Sequence, residues 1–217
     1  MDQLFESMPP ARVLDRPGRY TLLDLSSDNN ELTGDETPAE MDAYIAFHLL
    51  KDNASVGYGG YGERRKLYQT DLFQDEAQPR DTHLGIDLWA PAGTPVMAAL
   101  DGVVHSFDFN TGPGNYGPTI ILEHGLKGQK FYTLYGHLSM ESIEDLEIGD
   151  EFKAGDSIGE LGDPSVNGGY APHLHFQIIR DLEDHFGDYP GVCAWSVWPH
   201  YKNNCPDPNL ILKLNEL

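Results

Sequence analysis

Positive charge is scarce in this chain. Lys and Arg number 14 against 35 Asp and Glu, a formal net charge of −21. Nucleic-acid binding needs Lys and Arg to replace condensed counterions, and adhesion to anionic lipid needs basic clusters. The expectation is no nucleic-acid partner and no membrane partner. Cysteine is scarcer still, with Cys193 and Cys205 alone. They lack the Cys-x-x-Cys pairing of a zinc ribbon and are not counted as ligands. In an exported protein they can close a small loop, and in the cytosol they stay reduced. Long apolar runs are missing as well. No stretch approaches the ~20 apolar residues of a membrane span. Residues 1–20 carry Asp2, Glu6, Asp15 and Pro9-Pro10 where a signal core would need hydrophobes. The expected location is cytoplasmic, or periplasmic or extracellular if a leader has been removed. Internal repeats and low-complexity tracts are absent.

What is there suits one good-sized core. The chain has 217 residues, 40% of them hydrophobic, with 23 Gly and 15 Pro. Short strands punctuated by Gly turns predict a mainly β fold, an antiparallel β-sandwich, with an N-terminal extension containing one helix. Arg19 to Leu25 reads as a strand. Thr37-Pro38-Ala39-Glu40 is a capping box, and Met41, Tyr44, Ile45, His48 and Leu49 recur at helical spacing, so a helix is predicted over 38–51. Ser55 to Gly62, rich in Gly and Tyr, reads as a loop. Further strands are predicted at 94–100, 102–109, 119–123, 130–135, 151–152, 157–161 and 173–179. The organisation expected is an extension over 1–57, a core over 58–182, and a tail over 183–217 packed on the core.

The stretch that organises the chain is His83-Leu84-Gly85-Ile86-Asp87. Read as a strand, it puts His83, Gly85 and Asp87 on one face and Leu84, Ile86 and Leu88 on the other. His173-Leu174-His175-Phe176-Gln177-Ile178 repeats that pattern, and Tyr135-Gly136-His137-Leu138 lies between. Any one of these histidines alone is an ordinary packed residue. Two strands that each project two metal-competent side chains from an apolar backing are harder to explain as packing. A catalytic zinc site needs three protein ligands and one open position.

His83-x-Gly85-x-Asp87, Gly136-His137-Leu138 and His173-x-His175, in this order, resemble the LytM/lysostaphin-type zinc endopeptidases of peptidase family M23. Ala90-Pro91-Ala92-Gly93-Thr94-Pro95-Val96, Asp101-Gly102-Val103-Val104 and Lys153-Ala154-Gly155-Asp156-Ser157-Ile158-Gly159 agree with it. The resemblance covers residues 58–180. It implies one Zn²⁺ per chain held by His83, Asp87 and His175, with His137 and His173 as the two proton-handling histidines. Which of those two is the general base stays open. It also implies a peptide or peptidoglycan substrate, cut at an amide of a cross-link or stem peptide. Tyr61-Gly62-Glu63-Arg64 is similar to an element that precedes the first ligand, so Arg64 is expected at the groove. The Gly-rich loops around Asn115-Tyr116-Gly117 and Asn167-Gly168-Gly169-Tyr170 are expected to wall it, with Asn115 and Tyr116 touching substrate.

Two alternatives belong to other classes. One is an intracellular zinc hydrolase acting on a non-wall amide. The other is a non-catalytic LytM-like domain that binds a partner, although degenerate members would lack ligands. His48, His105, His124, His185 and His200 read as structural. Trp195 and Trp198 read as packing onto the core.

Overall fold

The computed structural model describes residues 1–66 and 78–214. Its elements in chain order begin with α1 (Asp2–Glu6), β1 (Tyr20–Leu23), α2 (Pro38–Asp52), β2 (Val56–Gly59), β3 (Arg80–His83), β4 (Ile86–Trp89) and β5 (Pro95–Met97). Then come β6 (Gly102–Asn110), β7 (Gly117–Leu126), β8 (Gln129–Gly136), α3 (Glu141–Glu144), β9 (Glu151–Phe152), β10 (Ser157–Glu160) and β11 (His173–Ile179). The chain closes with β12 (Val192–Ala194), α4 (Trp198–Asn204) and α5 (Asn209–Leu212).

Eight of the described strands form one sheet in the order β1-β2-β4-β11-β8-β7-β6-β9. All its pairings are antiparallel except β1 with β2. Strands β5 and β10 form a separate ribbon, as do β3 and β12. Period-2 alternation gives the large sheet one apolar face: Leu88, Leu122, Tyr135, Leu174, Phe176 and Ile178 cluster with Val96 and Ile158 of the β5/β10 ribbon. This is the expected mainly β architecture, with the β5/β10 ribbon packed over that face. Among the described residues no helix is long and apolar enough to cross a membrane.

The predicted helix exists and carries its capping box. The Thr37 hydroxyl accepts from the Glu40 N–H, and the Glu40 carboxylate accepts from the Thr37 N–H. Met41 and Ile45 bury against Leu23, Leu25 and Trp89. The β7/β8 hairpin is longer than predicted, because its turn is only Lys127-Gly128, both with positive φ.

Two expectations need correction. The segment 55–62 is not all loop, since Val56–Gly59 is a strand inside the large sheet. Its glycines are steric requirements there. A Cβ on Gly57 would stand 2.6 Å from Leu23 Cδ1. The segment 83–87 is not one strand either. His83 ends β3, Asp87 lies in β4, and the chain bends at Leu84-Gly85 between two sheets.

The segments flanking residues 58–182 enter the same core. Phe5 and Leu14, and Ile211 and Leu212 from the other end, are buried in the principal cluster. The ring of Phe5 meets that of Phe131 edge-on at 5.0 Å. Cys193 and Cys205 are buried thiols, not joined to each other. Burial pushes each up to about 12.

Candidate metal centre and cleft

Strand register builds the centre. Across β2, β4, β11 and β8 one row reads Gly59, Asp87, His175, Gly136. The side chains of that row project away from the apolar layer. The glycines at its ends open space beside the two functional residues. A Cβ on Gly59 would stand 2.8 Å from Arg65 Nη2 and Trp89 Cη2, and one on Gly136 would stand 2.6 Å from the Tyr116 ring. The next row sets His173 against Trp89, with their rings stacked at 5.5 Å. His83 arrives from the bend. Gly85 is needed at that bend because a Cβ there would lie 2.7 Å from His175 Nε2 and from the Phe176 carbonyl.

Three atoms converge. His83 Nε2 lies 3.0 Å from His175 Nδ1 and 3.2 Å from Asp87 Oδ1, and His175 Nδ1 lies 3.1 Å from Asp87 Oδ1. All three residues are buried. The outer nitrogens fix the tautomers. His83 Nδ1 faces the Gly60 carbonyl at 3.1 Å, which can only accept, so Nδ1 carries the proton. His175 Nε2 faces Gln177 Oε1 at 2.9 Å. The Gln177 amide is oriented by its Nε2, which donates to the Pro190 carbonyl and to Cys205 Sγ. His175 therefore carries its proton on Nε2.

What remains is two imidazole lone pairs and a carboxylate oxygen pointing at one another with no hydrogen to share. That arrangement is repulsive unless a cation occupies it. Ligands ~2.0–2.1 Å from a tetrahedral zinc sit about 3.3 Å apart, close to the three edges found here. The donor set, two imidazoles and one carboxylate with no thiolate, fits zinc and leaves a fourth position for water or substrate.

The charge environment agrees. Burial, reinforced by Arg65, pushes His83 down to about 4. Burial alone would raise Asp87, but His83 and Arg65 outweigh it and hold that carboxyl well below its ordinary range. Metal binding needs this pair of states, neutral imidazole and charged carboxylate.

His137 and His173 stand beside the centre with ring centroids 4.2 Å apart. Each anchors Nδ1 on a backbone carbonyl, Asn167 at 2.8 Å and Ala171 at 2.8 Å. Nε2 is left for the cleft. That of His173 lies 4.0 Å from Asp87 Oδ1. Burial, then the neighbouring imidazoles, holds His137 well below the usual histidine range. Burial also lowers His173.

The surrounding cleft measures about 720 Å³. Asn115 and Tyr116 line it, and Tyr116 Oη lies 3.4 Å from His175 Nε2. The two Gly-rich loops close against each other. Gly114 N–H donates to the Gly168 carbonyl, and a Cβ on Gly168 would overlap the Asn115 carbonyl oxygen. Gly34, Asp35, Glu36, Pro38 and Met41 from the N-terminal segment form another part of the wall.

Arg64 does not stand at the groove, where its sequence context puts it. Its side chain is 52% exposed, forks onto Asp81, and lies outside the lining of the cleft. Arg65 lines the cleft instead, 2% exposed and paired with Asp87. Neighbouring residues in extended backbone point opposite ways, and the Arg64–Thr82 bridge sets which one turns inward. His124 is structural, held between the Asp101 carbonyl and Thr133 Oγ1.

Residues 81–185 match the sequence profile of Peptidase family M23. This segment, just under half of the chain, carries the family's signature. It is similar to an uncharacterized metalloprotease of Buchnera aphidicola, 32% identical over 51% of this chain and 27% of that protein. It is also similar to the peptidoglycan DD-endopeptidase ShyC of Vibrio cholerae, 36% identical over 45% of this chain and 20% of that one. The glycyl-glycine endopeptidase ALE-1 of Staphylococcus capitis is 38% identical over 46% of this chain and 25% of its own length. The chain thus spans about a quarter of the length of these relatives.

Proposed function

We propose that this protein is a zinc metalloendopeptidase that hydrolyses amide bonds in peptidoglycan cross-link or stem peptides. The observation that carries the metal is the proton-free triangle of His83 Nε2, His175 Nδ1 and Asp87 Oδ1. The relatives include a peptidoglycan DD-endopeptidase and a glycyl-glycine endopeptidase, which supports the substrate class. Zinc, when bound, supplies Lewis acidity for a scissile carbonyl and for water.

His83, Asp87 and His175 hold the metal. His137 and His173 handle protons. Both are lowered by burial, so both are neutral near pH 7, with Nε2 able to accept a proton from water. The same nitrogen can then deliver it to the departing amine. Their backbone-bound Nδ1 atoms keep the rings from turning during transfer. The Asn115–Tyr116 loop, with the 168–170 loop closed against it, forms one wall of the cleft along which an extended peptide lies. A partner-binding role without chemistry gives no reason for two anchored, neutral imidazoles next to the ligand triangle.

The test is digestion of purified sacculi by the protein, zinc-loaded and chelator-treated, with the soluble products identified by mass spectrometry. Cleaved peptide cross-links with zinc alone support the reading. Intact sacculi with zinc-replete protein contradict it.

A further inference from the structure

Arg65 is built into the centre from two sides. Its Nη1 donates to Asp87 Oδ2 at 2.5 Å and its Nε donates to Glu63 Oε2 at 2.7 Å. Glu63 is itself only 13% exposed. Its other oxygen, Oε1, accepts the backbone N–H of Leu25 at 3.2 Å. Leu25 belongs to the N-terminal segment, just past β1. The guanidinium fits because Gly59 has no side chain, and it lies beside the Trp89 ring at 6.0 Å.

A buried guanidinium is costly unless it is paired and hydrogen-bonded. Here it is flanked by two carboxylates, one of them in the ligand triangle. The effect on Asp87 is a division of labour between its oxygens. Oδ1 faces His83 and His175, while Oδ2 faces Arg65. A carboxylate without such a hold can swing, or offer both oxygens to a metal. With Oδ2 held, Oδ1 alone is presented. Arg64 supplies no such contact, since its guanidinium is turned to Asp81.

We propose that Glu63 and Arg65 form a positioning strut that fixes Asp87 as a one-oxygen metal ligand and ties the centre to the N-terminal segment through Leu25. The strut rests on the zinc reading above. Arg is required because two separate nitrogens must reach two carboxylates, whereas Lys offers one point charge.

The test uses the full chain, stripped of metal and titrated with zinc against a chromophoric chelator. Cobalt substitution reads ligand geometry by its visible absorption. Arg65→Met weakens zinc binding about 10–100-fold, the usual cost of losing an outer partner of a metal ligand, and shifts the cobalt bands. Arg65→Lys recovers part of the affinity. Glu63→Gln keeps an acceptor oxygen but loses the charge, and weakens binding severalfold. Arg64→Met matches the unsubstituted protein in both readouts. If Arg65→Met does not fold, Arg65→Lys and Glu63→Gln decide. Unchanged zinc affinity and cobalt spectra in these variants overturn the strut while leaving the zinc reading intact. Failure of the unsubstituted chain to bind zinc overturns both.

Discussion

Asp87 and His175 sit directly opposite each other on neighbouring strands, with Oδ1 and Nδ1 3.1 Å apart. The sheet itself therefore aligns two of the three candidate ligands, and only His83 depends on a bend. The two kinds of histidine should separate under mutation. His83→Ala, Asp87→Ala or His175→Ala should abolish zinc uptake, measured by elemental analysis. His137→Ala and His173→Ala should keep the metal and lose about 10²–10⁴-fold in turnover, the usual contribution of a positioned acid or base.

Gly85 should tolerate no side chain. A Cβ there meets both His175 Nε2 and the Phe176 backbone oxygen at 2.7 Å, and the backbone oxygen cannot step aside. Gly85→Ala should cost about 1–3 kcal/mol of stability and weaken zinc binding. Thermal melts with and without zinc separate the two losses.

Acid should destabilise the metal-free protein. The folded-state value of His83 is depressed, to about 4 from an ordinary 6.5, by burial and by Arg65. As pH falls below 6.5 the unfolded chain takes up a proton that the folded one refuses. Stability is therefore fully present above pH 6.5 and is lost progressively down to about 4. Asp87, held low by His83 and Arg65, keeps its charge through that window. Melting temperatures in chelator should fall between pH 7 and 4. A flat profile would refute this.

The N-terminal segment should behave as core. Phe5 is fully buried against Phe131, and β1 extends the central sheet through β2. Phe5→Ala should destabilise the protein by about 3–5 kcal/mol. Chemical denaturation checks this. A cost below 1 kcal/mol would mark the segment as a loosely attached extension.

How far the sequence can be read follows from what each residue needs. Asp87, His173 and His175 are legible because period-2 alternation sets them on one face of apolar-backed strands, where packing has no use for paired polar side chains. The capped helix is legible because Thr37 and Glu40 signal locally. Strand β2 is not, because glycine is a poor strand former. Gly57 and Gly59 make room for Leu23 and Trp89, which lie far off in sequence, and for the nearby Arg65. Arg65 is hidden behind Arg64, since adjacent identical residues carry no mark of which face they take. The bend at Leu84-Gly85 preserves the apparent alternation of a continuous strand. The core role of Phe5 and Leu14 has no periodic pattern to announce it, because both lie outside regular strands.

The proposed chemistry depends on His83, Asp87 and His175 holding one zinc. X-ray absorption at the zinc edge, on protein purified without added metal and assayed for stoichiometry, tests it most directly. One zinc per chain is expected, in a four-coordinate shell of nitrogen and oxygen at ~2.0–2.1 Å, with imidazole scattering and no sulfur. A sulfur shell from Cys193 or Cys205, or zinc far below one equivalent, would contradict it.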